Sequence, residues 1–360
     1  VLMVHADKLI TLDGLRYFAP VEHEVRVKLS HQVGIRLEDA LGQLRIAEAT
    51  AQWWANELRN GRVQIERRHG QNVELENVDG NYVVCEGDLA ILRAHVHDRV
   101  VPDVPPLILH DDQDILVVSK PPGLEVFINP LGGALRSSLL GMLAELGYTG
   151  LAPVHRIDKP VSGVVCMAKN KKAGSRLTRC IQGHRIRKTY VARVRISQGA
   201  PPEGLRIDAP LSVETESATA YVDSASGKPS TTIVQRVLSV YEDNVSGPTA
   251  AIAVEPLTGR MHQIRCHLAH AGYPIANDVK YGGCSTMSGQ PLYQDSGAGE
   301  LQRFLRRHFR DGCAACAFFQ QVLEGAAPRP QLSEGIWLHS WRYEFPSLNL
   351  EFEAPLPTWA

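Results

Sequence analysis

The stretch from His155 to Lys169 constrains the fold most. His155-Arg156-Ile157-Asp158-Lys159-Pro160 is a charged cluster with one acid, and it runs through Val161-Ser162-Gly163 into the apolar run Val164-Val165-Cys166-Met167-Ala168. A run of that length beside turn residues reads as a buried strand. The pattern places a polar turn at the mouth of a hydrophobic sheet, and turns aimed by a rigid scaffold are where chemistry is usually sited. Taken alone, Asp158 between two cations is an ordinary solvated turn residue, because exposed ion pairs are common and worth little. Its surroundings shift the balance. From His155 to Arg195 there are 12 Lys or Arg and 1 acidic residue, in a chain whose totals are 38 and 39. Charge segregated in this way is the electrostatic footprint of a phosphate-backbone partner.

A chain of 360 residues with 44% hydrophobic content has enough apolar mass for more than one core. No apolar run approaches the length of a membrane span, and the first residues lack the features of a secretory or transit segment. The 7 cysteines, odd in number and scattered, argue against a disulfide framework and for a reducing intracellular compartment, whether cytoplasm, nucleus or mitochondrion. Cys313-Ala314-Ala315-Cys316 has the spacing of half a zinc site, with His308 and Cys284 as further ligand candidates. The second half of a four-ligand pattern is missing, so an unmetallated loop is the competing reading.

In chain order, residues 1–32 read as extended, with a turn at Asp13-Gly14. Residues 33–94 read as a small α/β module: a helix from Ile35 to Leu44, a second opened by Thr50 and closed at Asn60-Gly61, then short strands from Val63 and Leu89. Trp53 and Trp54 read as core residues, because nothing basic interleaves with them. Residues 95–106, with His95-Val96-His97 and several prolines, read as a linker, and residues 107–360 as a second domain with an insertion at about 282–335. In that domain Ser137 to Leu146 and His262 to Ala271 read as helices. Tyr190 to Ile196, Lys228 to Val234 and Ala250 to Val254 read as strands, and a basic helix is expected over 303–310.

His155-Arg156-Ile157-Asp158 with Ser162-Gly163 and Ala168-Lys169 resembles the catalytic motif of the RluA family of pseudouridine synthases. The likeness continues through Lys188-Thr189-Tyr190-Val191-Ala192 and Leu257-Thr258-Gly259-Arg260-Met261-His262-Gln263-Ile264-Arg265, then Gly272-Tyr273-Pro274-Ile275 and Asp278. Val118-Ser119-Lys120-Pro121-Pro122-Gly123 matches the first motif, and Leu338-His339-Ser340 resembles the closing strand. The resemblance spans roughly residues 105 to 350 and implies an α+β fold. Its sheet would be mixed and mainly antiparallel, with flanking helices and a central RNA cleft. Residues 33–94 resemble the S-four-like RNA-binding module found ahead of such synthases, although Arg45 is the only cation between Arg36 and Glu57. Val161 stands where the family has Thr, Ile157 where it has Leu, and Asn277 precedes Asp278 where Gly is usual. With Val161 the hydroxyl that would cap the turn is lost.

The implied reaction breaks the ribose bond to N1 of uracil, turns the base and rejoins it through C5. No cofactor is implied. One carboxylate is needed near sugar and base, as nucleophile or as the base that starts a glycal route, and Asp158 is the only acid in its motif. It must stay ionised in a partly dry pocket, which a guanidinium favours; the resemblance assigns that partner to Arg265. The uridine must leave its stack first. By resemblance Arg156 fills the vacated space and Tyr190 stacks against the flipped base. His155, Lys120, Lys169, Lys188, Arg260 and His262 are the further expected RNA contacts.

The Asp13-Gly14 opening, the His95–His97 junction and the Cys313/Cys316 segment look closest to the eukaryotic tRNA-modifying branch; ribosomal RNA is the alternative substrate. A non-catalytic RNA-binding or ribosome-assembly factor that keeps the synthase fold is a second reading, favoured by the net charge of -1. A hydrolase using Asp158 with His155 is a third, but no nucleophile elbow or metal set accompanies them.

Overall fold

The computed structural model describes residues 9–12, 14–43, 51–69, 72–127, 136–215, 217–242, 247–284, 314–323 and 335–360. The readings made for Asp13, Thr50, His308, Cys313, the basic helix over 303–310 and most of the insertion lie outside them.

The apolar run after Asp158 becomes the strand Ser162–Ala168, whose residues from Gly163 onward are buried. It lies inside a 10-stranded sheet. Along that sheet the order is Arg206–Asp208, Thr231–Tyr241, Thr249–Pro256, Arg187–Arg195, Leu338–Phe345, Ser162–Ala168, Ile115–Lys120 and Leu107–Asp111. Every pairing along this path is antiparallel except one. Ser162–Ala168 runs parallel to Leu338–Phe345, with Gly163 opposite Ser340. Gly163 has φ 108°, and a Cβ there would sit 2.1 Å from the Ser340 carbonyl oxygen, so only glycine allows the strands to approach this closely. The sheet is thus mixed and mainly antiparallel, with helices packed against it, as an α+β fold requires.

The core follows the alternation of the strands. Val117, Val165, Ala192, Val254 and Leu338 belong to one cluster that takes in Leu139, Met142 and Leu143 of the helix Leu139–Glu145 and Leu177 of the helix Lys171–Gln182. Both helices start on side-chain caps. Ser138 Oγ accepts from Gly141 N and Asn170 Oδ1 from Ala173 N, each supplying an acceptor to an otherwise orphaned amide.

A separate four-stranded sheet, ordered Val21–Lys28, Leu89–Val96, Val63–His69 and Asn72–Asn77, packs with the helices Leu37–Gly42 and Ala51–Arg59. Its core holds Leu37, Leu41, Trp54, Leu58, Val63 and Ile65. The strand Val21–Lys28 pairs along its whole length with Leu89–Val96, so part of the N-terminal extended segment completes this module. The segment after it is pinned to the large domain. Asp98 accepts from Arg136 Nε at 2.6 Å in a buried ion pair, Arg136 also donates to Ala19 O, and Val101–Pro102 pairs with Leu15–Phe18.

No helix among the described residues is long and apolar enough to cross a membrane. Cys316 lies with its Sγ 3.2 Å from His97 Nε2, and the described residues contain no group of three or more potential metal ligands.

Candidate active site

The Asp158 turn is built from backbone and from below. Val161 N donates to Asp158 O at 3.0 Å, and Val161 itself is buried, so an apolar residue here anchors the turn to the core. Gly123 N and Lys120 Nζ both donate to Lys159 O, at 2.8 and 3.3 Å. Lys120 also donates to Pro121 O (2.8 Å) and Leu124 O (2.7 Å). This residue was expected to meet phosphate; it is instead fully buried, does not line the cavity and ties the Pro-Pro-Gly corner to the turn. Burial pulls its ammonium down to about 7, against the charge of Asp158.

Arg265 comes to Asp158 from the helix Gln263–His270. Its Nη1 lies 3.5 Å from Asp158 Oδ2, while Nε and Nη2 form a fork on Asp278 at 2.6 and 2.9 Å. Arg265 is 5% exposed and Asp278 1%, which makes this a desolvated bidentate pair. Burial pulls the guanidinium down, but the bonds and charge of Asp278, with the charge of Asp158, outweigh it and hold Arg265 above its ordinary value. His262 precedes the helix at φ 51°, left-handed, a conformation non-glycine residues adopt mainly where their surroundings enforce it. Its Nε2 lies 3.7 Å from Asp158 Oδ2 and its Nδ1 2.8 Å from Tyr281 Oη. Tyr281 accepts from Ala220 N and lies under the Arg265 guanidinium, 4.9 Å from it.

These groups face a cavity of about 750 Å³, roomy enough for a nucleoside with its neighbouring phosphates. Arg156, Asp158, Lys188, Tyr190, Arg260, His262 and Arg265 line it. Arg156 is exposed at the rim, its Cζ 5.6 Å from the Phe127 ring centre. Lys188 is half-buried, which lowers its ammonium. His155 lines the cavity too, but both its nitrogens are spent inward, on Cys166 N and Tyr343 Oη, so the contact with RNA expected of it is not available to its ring nitrogens. Lys169 does not line the cavity; it pairs with Asp111 and lies over Tyr148.

The model of the RNA pseudouridylate synthase family matches residues 114–270, which contain this turn, the strand after it and the whole of this helix. The ribosomal large subunit pseudouridine synthase D of Vibrio vulnificus is 30% identical over 268 residues, covering 70% of this chain and 74% of its own. The chain belongs to the RNA pseudouridylate synthase family. An RNA pseudouridine synthase 7 of rice is 27% identical and matches 97% of this chain and 91% of its own. The tRNA pseudouridine(31) synthase of Saccharomyces cerevisiae is 28% identical, covering 70% and 69%. Membership makes the chain an RNA pseudouridine synthase, an isomerase that converts uridine in RNA to pseudouridine.

Reading the sequence of this synthase singled out Asp158, Tyr190 and Arg265 but not the groups that hold them. Asp278 ended a motif without a role, and only its burial against Arg265 gives it one. Gln263 was passed over inside its motif. Its Oε1 accepts from Arg260 N and Thr258 Oγ1 and its Nε2 donates to Thr231 O, which closes the turn before the helix. Asn277, where the family has Gly, accepts from Trp337 N at 2.7 Å and donates to Gly335 O at 3.2 Å, stitching the closing strand to the site. Tyr343 gave no signal at all, since a Tyr in an alternating strand reads as core.

Proposed function

We propose that the synthase isomerises uridine in a transfer RNA, with Asp158 acting on the sugar and base, Arg265 beside that carboxylate and Tyr190 against the flipped base. The observation that carries the reading is the Asp158 carboxylate on the cavity wall, 3.5 Å from Arg265 Nη1 and 3.7 Å from His262 Nε2. In this reading the C1′–N1 bond breaks and the uracil turns. The C1′–C5 bond then forms, the C5 proton leaves to solvent or a base, and N1 takes up a proton. Asp158 either adds to C1′ and is displaced when C5 bonds there, or removes the C2′ proton and returns it afterwards; both need an unprotonated carboxylate with a lone pair free. Arg156, Arg260, His262 and Lys188 contact the RNA around the extruded nucleotide, and the module carrying Leu37–Gly42 and Ala51–Arg59 gives additional RNA contact. The enzyme works inside a reducing compartment.

Support for transfer RNA comes from the yeast relatives, named for positions 31 and 32 of tRNA, at 28% and 32% identity. A second reading, ribosomal RNA, is favoured by the Vibrio relative. Pseudouridine mapping of total RNA from cells carrying the wild-type chain or Asp158→Ala separates them. Loss of one or a few tRNA sites in the variant is expected. Loss of ribosomal sites alone replaces the substrate, and retention of every site removes Asp158 from the chemistry.

A further inference from the structure

Three rings that line the cavity meet at its inner wall. Tyr190 Oη lies 3.0 Å from Tyr343 Oη, and Tyr343 Oη lies 3.3 Å from His155 Nδ1, with the His155 and Tyr343 rings stacked at 4.4 Å and 16°. The far nitrogen, His155 Nε2, accepts the backbone N–H of Cys166 at 3.0 Å. A backbone amide can only donate, so Nε2 carries no proton. A neutral imidazole has one proton, which must then sit on Nδ1. Burial, with the charge of Lys188 beside it, keeps the ring in that neutral form by pulling it down to about 3. With Nδ1 protonated, Tyr343 cannot donate to His155. Its single O–H is left for Tyr190 or for Ser340 Oγ, and where Tyr190 accepts it the Tyr190 O–H is turned away from Tyr343.

We propose that the Cys166 amide, His155 and Tyr343 form a directed hydrogen-bond chain that holds the Tyr190 hydroxyl as a donor toward a polar atom of the extruded base. Tyr343 is thereby a positioning residue, acting on the base only through Tyr190. The register supports this. Tyr190 stands opposite Ser340, with a bulge before it, on the strand that carries Tyr343, so the two hydroxyls are brought together by adjacent strands. Ser340 also flanks both hydroxyls, and it donates to Val164 O at 3.3 Å, which makes it the competing acceptor for Tyr343.

The inference rests on the Asp158-centred site, and the test separates the two. Single-turnover tritium release from RNA bearing 5-tritiated uridine reports the step that replaces the C5–H bond. It is measured for the full chain and for Tyr343→Phe, Tyr190→Phe, the double variant, Ser340→Ala and Asp158→Ala, with RNA affinity taken from fluorescence anisotropy. Tyr343→Phe keeps the ring on His155, and its rate is expected to fall roughly tenfold, the scale of one net hydrogen bond, with RNA affinity within about twofold. In the Tyr190→Phe background the same change is expected to have no further effect. A wild-type rate for Tyr343→Phe, an equal loss in both backgrounds, or a loss produced by Ser340→Ala instead overturns the chain. If Tyr343→Phe fails to fold, 3-fluorotyrosine at 343 keeps the shape with a stronger donor, and an unchanged rate overturns the proposal. A fully active Asp158→Ala would instead remove the site reading beneath it.

Discussion

Replacing Asp278 by Asn tests whether Arg265 is held for the site or merely stored in the core. The carboxylate takes both arms of the Arg265 fork at 2.6 and 2.9 Å, and neither side chain is more than 5% exposed. Removing one partner of a buried pair costs about 3–5 kcal/mol, because the other charge stays behind in low dielectric. Asn keeps one acceptor, so the lower end applies, about 3 kcal/mol, or a fall in melting temperature of roughly 6 °C or more for a domain of this size. Among the described residues, the released guanidinium has one anion left within reach, Asp158 at 3.5 Å. Closing that gap to a contact of about 2.8 Å deepens the attraction by ~1 kcal/mol at an effective dielectric of about 20. The carboxylate becomes a poorer nucleophile and base, and turnover drops roughly five- to tenfold. Thermal unfolding and tritium release on Asp278→Asn measure both effects. A variant that melts within about 1 °C of wild type and turns over within about twofold would refute the view that Asp278 sets the position of Arg265.

Lys120→Met removes the donor shared by Pro121 O, Leu124 O and Lys159 O. Orphaned buried carbonyls cost about 1–3 kcal/mol each before relaxation, so urea unfolding should register a loss while the salt dependence of RNA binding stays unchanged; a weaker salt dependence would restore the phosphate contact. His155 is depressed from 6.5 to about 3 by burial. Below 6.5 the unfolded chain therefore binds a proton that the native chain refuses, so its contribution is present above 6.5 and is lost as pH falls toward 3. The slope is up to ~1.4 kcal/mol per pH unit, and urea unfolding between pH 6.5 and 4.5 should flatten in His155→Gln. Arg156 and Arg260 line the cavity and are exposed, so neutralising either should lower the slope of log affinity against log salt by about 1. Lys169→Gln should leave it unchanged, since that cation is already paired with Asp111.

The sheet was legible because its strands are long apolar or alternating runs with turn residues at their ends. Ser162–Ala168, Arg187–Arg195 and Thr249–Pro256 all announce themselves by composition. The helix before the Asp158 turn was legible for a local reason as well, since Ser138 caps it and Gly147 at φ 92° follows its end. What composition cannot carry is the burial of charge. Lys120 sits in the same kind of motif as a surface lysine, and only the fold of the Pro-Pro-Gly corner over it turns an expected phosphate contact into an internal strut. Asp98 and Arg136 are alike in this respect, 38 positions apart with no pattern that joins them. The role of Tyr343 depends on which residue faces it from the neighbouring strand, and pairing across 153 positions leaves no mark in a single sequence.

The two buried cations near Asp158 are arranged so that neither consumes it. Lys120 gives its donors to backbone carbonyls, and Arg265 gives its fork to Asp278. Arg265 and His262 then approach Asp158 only to 3.5 and 3.7 Å, beyond the length of a good charge-assisted hydrogen bond. The attraction between these cations and the carboxylate falls slowly with distance. A direct short bond would deepen it, but would also occupy the lone pairs that the proposed reaction directs to sugar or proton. Holding each cation with oxygen atoms other than those of Asp158 separates the two effects. A second anion is needed for this, and Asp278 supplies it, at the cost of burying a full ion pair whose contribution to stability is small.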